Sequence, residues 1–159
     1  MKELEEIYNK LNNLNYILDR KIELLNLILN ITKNQEIVFK NNDNNDTNSF
    51  INISLDEKQK FIDEIINIDN MFLDIFESFN GNLNQNKQIF KEDIKILKNK
   101  IEKITEIDFK IRLQEEKNSK IYKNINDFRN INLNTDKVKT LKVSKNELLK
   151  KYTNNNRKK

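Results

Sequence analysis

Cysteine, histidine, proline and tryptophan are all missing from the 159 residues, and glycine occurs once, at Gly81. Alanine is missing as well. Each absence excludes something. Without Cys or His there is no thiolate nucleophile, no imidazole base, no disulfide and no zinc site built on sulfur or nitrogen. No stretch approaches the roughly 18 consecutive apolar residues that a membrane-spanning helix needs. The longest apolar concentration, Leu24 to Ile31, is broken by Asn26 and Asn30. With almost no Gly or Pro as punctuation, segment ends must be read from hydrophobic spacing.

Asn, Lys and Ile dominate instead, a bias that AT-rich coding favours. Ile and Asn are middling helix formers, so a helical reading must rest on periodicity rather than propensity. The length suits one domain. The start of the chain, Met1-Lys2-Glu3-Leu4-Glu5-Glu6, is charged and acidic, unlike a secretory signal, so a cytoplasmic location is expected. From Asn130 onward nine Lys or Arg face only Asp136 and Glu147. That stretch carries +7, and since the whole chain is +4, residues 1–129 carry −3.

Spacing predicts three helices. Leu4, Ile7, Leu11, Leu14, Leu18, Leu25 and Ile28 fall at alternating steps of three and four, with Lys21 the one polar interruption, and make a heptad seam. Tyr8, Ile17, Ile22, Leu24, Leu29 and Ile31 widen it beyond a two-stranded stripe, so this helix should cover more than one neighbour. The tract Asn41 to Ser49 has no apolar residue and reads as a solvated loop. Ser54 and Glu57 have capping-box spacing, which puts the second helix at about 55–80, with Ile62, Ile65, Phe72, Phe76 and Phe79 in its seam and Asp69 among them. Gly81 suits a left-handed helix cap. The third helix then runs over about 83–126 on Phe90, Ile94, Leu97, Ile101, Ile104, Ile111, Tyr122 and Ile125, with Asp108, Glu115 and Asn118 as polar seam positions.

The expected fold is therefore all-α: a three-helix antiparallel bundle or coiled coil, helices about 2–40, 55–80 and 83–126, forming one domain over 1–129. At 1.5 Å per residue the first and third helices reach roughly 55–65 Å and the second roughly 35–40 Å. From about Asp108 onward the third helix is expected to project past the second. Residues 130–159 are expected to form a basic, partly disordered, mobile tail with a short helix near 145–151.

Carboxylates are the remaining candidates for chemistry, with Asp63, Asp69 and Asp74 on the second helix and Asp93 and Asp108 on the third. Di-iron bundles need Glu-x-x-His pairs, and no His exists to complete one. Solvated helix faces account for these acids, and no enzyme activity, metal or cofactor is expected. Asp69 and Asp108 lie in the seam, where a buried carboxylate costs several kcal/mol unless paired. Either they meet Lys or Arg, or the seam is open there. The basic tail could contact phosphates, yet it carries one Tyr and no docking module for nucleic acid, so nucleic acid is not the expected partner. What does stand out is apolar residues with no assigned neighbour. Ile131, Leu133, Val138, Leu141, Val143, Leu148, Leu149 and Tyr152 either cover the bundle's own end or anchor a partner helix.

The whole pattern, a small three-helix coiled coil with a Leu-rich first seam, a polar loop and a mixed apolar and basic tail, resembles the FlgN family of flagellar export chaperones. The run Glu57-Lys58-Gln59-Lys60-Phe61-Ile62-Asp63-Glu64-Ile65 is similar to that family's charged, Lys-bearing start of helix two. Ile68-Asp69-Asn70-Met71-Phe72 and the long third helix continue the likeness. The resemblance implies a cytoplasmic chaperone that holds the C-terminal amphipathic helices of hook–filament junction proteins for export. It places client binding at the end of the third helix and the tail, on Ile111, Ile121, Tyr122, Ile125, Phe128, Ile131, Leu141, Leu148 and Leu149. A monomer or weak homodimer is then expected. The main rival is a structural or adaptor coiled coil that self-associates through the same seams.

Overall fold

The computed structural model describes residues 2–41 and 47–129, with side chains through Asn124. The described residues form three helices: α1 (Lys2–Lys40), α2 (Thr47–Gln85) and α3 (Lys91–Arg129). Each has 39 residues, about 60 Å of helix, and no strand occurs among the described residues. The cross-helix pairs fix the directions. Arg20, Lys21 and Gln35 of α1 meet Glu64, Asp69 and Ser54 of α2, an antiparallel pairing. Asp19, Thr32 and Phe39 meet Lys100, Asn118 and Tyr122 of α3, a parallel one.

The wide apolar stripe of α1 decides the architecture. Leu11, Leu14, Leu24, Leu25 and Ile28 are fully buried, and α1 packs along both α2 and α3, whose Cα atoms come no closer than 8 Å to each other. The main core joins Ile7–Leu29 of α1 to Ile62, Ile65, Phe72 and Phe79 of α2 and to Leu97, Ile104, Ile107 and Ile111 of α3. Each such side chain contributes about 1.5–3 kcal/mol relative to exposure. Tyr8, read as part of the stripe, is half-exposed.

Five expectations about boundaries need correction, one of them the start of α3, which lies at Lys91 rather than near residue 83. α2 begins at Thr47 rather than near residue 55, because Ile51 and Leu55, one turn apart, are buried against Phe39 of α1. Ser54 is not a cap but an interior helical residue. Its hydroxyl donates to the Ile51 carbonyl at 2.8 Å and accepts from the Gln35 amide at 2.9 Å. Gly81 does not end α2, which continues through it to Gln85. The reversal comes at residues 86–90, where the Asn86 carbonyl accepts from the amides of Ile89 and Phe90, and buried Phe90 pins the turn. Finally, α3 does not project past a shorter partner, since all three helices match in length and Ile111, Glu115 and Asn118 are buried. The expected tail, 130–159 with its short helix near 145–151, lies outside the described residues.

Candidate protein-binding site

The polar seam positions resolve into buried bridges. Lys21 Nζ lies 2.6 Å from Asp69 Oδ1 across α1 and α2, and Asp108 sits nearby on α3 with Arg112 3.6 Å from its Oδ2. Asp69 and Asp108 thus meet cations, one of the two outcomes the sequence left open. Burial pushes the Lys21 ammonium down, against the pull of Asp69 and Asp108. Burial also pushes the Asp108 carboxyl up to about 6, with Arg112 and then Lys21 pulling the other way.

Toward the far end of α1 a second, larger layer crosses all three helices. Lys58, 2 % exposed, donates to Gln35 Oε1 at 2.9 Å and to Glu115 Oε1. The Gln35 amide donates to Ser54 Oγ. Asn118 Nδ2 donates 2.7 Å to the Thr32 carbonyl, and the Thr32 hydroxyl donates to the Ile28 carbonyl. On the flank, Glu36 gathers Lys117 at 2.6 Å, Lys40 at 3.2 Å and the Gln114 amide at 3.0 Å. These contacts, Lys117 first, hold its carboxyl down at about 2. A buried pair of this kind roughly breaks even against an apolar pair, but a slipped register would strand a charge at a cost of about 3–5 kcal/mol. The layers therefore specify alignment more than they add stability.

Beyond this belt lies a separate small cluster: Phe39, Ile51 and Leu55, with Val38, Ile121 and Tyr122 packed on it. Tyr122 meets the Phe39 ring edge-on at 5.3 Å, and burial raises its hydroxyl pKa. Around the same end, Ile37 is 56 % exposed, Phe50 39 % and Ile53 60 %. Phe50 and Ile53, three apart, share one side of α2.

Of the residues expected to hold a client, Ile111 requires correction, because it is 1 % exposed in the main core and already covered by α1. Ile121 and Tyr122 belong to the end cluster and are half-buried. Ile125 and Phe128 lie on α3 beyond the described side chains, and Ile131, Leu141, Leu148 and Leu149 lie outside the described residues. Exposed Ile37, Phe50 and Ile53 were not singled out for binding, although the spacing of Phe50 and Ile53 after a polar tract was the available signal. Among the described residues no group of three or more carboxylates is placed to hold a metal, and no helix is long and apolar enough to cross a membrane.

The chain matches no protein-family model, no curated protein and no solved structure.

Proposed function

We propose that this chain binds amphipathic helices of partner proteins at the end of the bundle built on Phe39, Ile51, Leu55, Ile121 and Tyr122, acting as a cytoplasmic export chaperone rather than as an enzyme. The observation that carries the reading is the small end cluster, cut off from the main core by a buried polar belt and ringed by exposed Ile37, Phe50 and Ile53. A cluster this small opens at a lower free energy than the whole fold. An incoming helix can replace its contacts while the belt and main core stay intact. The resemblance to FlgN supplies the class of client, the C-terminal helices of hook–filament junction proteins.

Size-exclusion chromatography with light scattering tests this on the full chain, alone and after co-expression with a C-terminal fragment of a hook–filament junction protein. The expected result is a monomer that shifts to a one-to-one complex, and loss of that shift in Ile53→Asp with its circular dichroism unchanged. A fixed oligomer indifferent to the fragment would leave a self-associating coiled coil in its place.

A further inference from the structure

A second apolar surface lies at the opposite end, between α2 and α3. Because both helices pack on α1 and their backbones stay apart, the space between them must be filled by side chains or left open. In the middle it is bridged by Lys21, Asp69 and Asp108, and toward the far end by Lys58 and Glu115. Near the 86–90 turn no such bridge occurs among the described residues, and a groove of about 290 Å³ remains. Phe72, Leu83 and Leu97 form its buried floor, and half-buried Phe76, Ile94 and Ile101 its walls.

The shape and the charge both restrict what fits. Ile94 to Ile101 is two turns, about 10 Å along the axis, so the groove is a trough parallel to the helices rather than a round pocket. Its volume has room for a pair of bulky apolar side chains from one helical face. The rim is positive. Lys87 and Lys98 line the opening, both are exposed, and neither pairs with a carboxylate among the described residues. The Asn80 and Asn84 amides complete that edge. A rim of this sign repels the chain's own basic 130–159 segment, which carries +7, and favours a partner of opposite charge.

We infer that this groove is a docking site for an acid-flanked amphipathic helix of another protein, which lies along α2 and α3 as a fourth helix. Its apolar residues, one turn apart, enter the trough between Phe76 and Ile101, and its Glu or Asp side chains meet Lys87 and Lys98. This surface is separate from the end cluster and does not depend on it.

The probe is a fluorescein-labelled designed peptide of about four turns, with Leu at one-turn spacing and Glu on both flanks, titrated with the full chain and read by fluorescence polarisation. A twin peptide with Lys in place of Glu is the control. Saturable binding of the Glu peptide is expected, roughly tenfold weaker for the Lys twin and weakened by added salt. The double variant Lys87→Glu/Lys98→Glu, exposed at both positions, should reverse the preference between the two peptides. Ile53→Asp at the other end should leave Glu-peptide binding unchanged while abolishing capture of the hook–filament fragment, so the two sites fail independently. Absence of saturable binding, or affinity untouched by the double variant, overturns the inference. So does light scattering that shows a dimer broken by the double variant, since the occupant would then be a second copy of this chain.

Discussion

Asp108 is buried on α3 and faces Lys21 of α1, itself bridged to Asp69 of α2, with Arg112 one turn along. Its carboxyl keeps a proton to about 6, whereas the ordinary value is 3.8. Unfolding between those values therefore releases a proton, so the Asp108 contribution to stability is fullest below about pH 4 and is lost as pH rises through 6. The gap corresponds to at most about 3 kcal/mol. Glu36 works in the opposite direction at lower pH, since its carboxyl is held at about 2 and its stabilisation is lost as pH falls toward that value. Urea midpoints measured from about pH 4 to pH 7 are expected to decline, and Asp108→Asn should remove most of that decline. An unchanged slope in the variant would assign the effect elsewhere. Lys21, Asp69, Asp108, Glu115 and Asn118 were all legible as polar positions in apolar seams. Their partners were not, because Lys21 and Asp69 lie 48 positions apart and periodicity carries no information about which helix faces which.

At the scale of the element, spacing located the helices well and their ends poorly. The width of the α1 stripe correctly implied two neighbours, since Ile17, Leu24 and Leu29 are buried alongside the heptad positions. The start of α2 was missed because local signals competed with a distant one. A Ser–Glu pair at capping distance suggested a boundary, while the real determinant, burial of Ile51 and Leu55 against Phe39, is tertiary. Gly81 misled in the same way, as a helix breaker by habit that α2 simply passes through. A Cβ added there meets nothing within 4 Å, and the position is exposed within helix. Gly81→Ala is therefore expected to stabilise the fold by about 0.5–1 kcal/mol, seen as a rise in the thermal midpoint followed by circular dichroism. A fall would mean that the backbone at Gly81 departs from ordinary helix.

Across the whole molecule, apolar packing is divided. The large cluster occupies most of the bundle, and the small one sits past the belt of Thr32, Gln35, Ser54, Lys58, Glu115 and Asn118. Amide exchange should register that division. Protection is expected to be highest in α1 through Leu29 and in α3 from Leu97 to Ile111, and to step down beyond Ser54 toward Thr47 and beyond Asn118 toward Arg129. Equal protection along the full length of α3 would show that the belt transmits cooperativity rather than insulating the end. The position of the end cluster was partly legible in the sequence. Ile121 and Tyr122 do lie in the small end cluster, whereas Ile111 is buried in the main core, because a stripe read along one helix cannot show that another helix already covers it.

The central position of α1 has a consequence for how the chain is made. A ribosome releases α1 first, carrying a stripe wide enough for two companions and touching neither. Once α2 emerges the pair can close as a hairpin through neighbouring segments, the kind of short-range contact that forms fastest. Helix α3 packs on a flank of α1 that α2 leaves free, so its docking need displace nothing. This packing lets the helices assemble in the order in which they are made, and a nascent chain halted before α3 would leave one flank of α1 open.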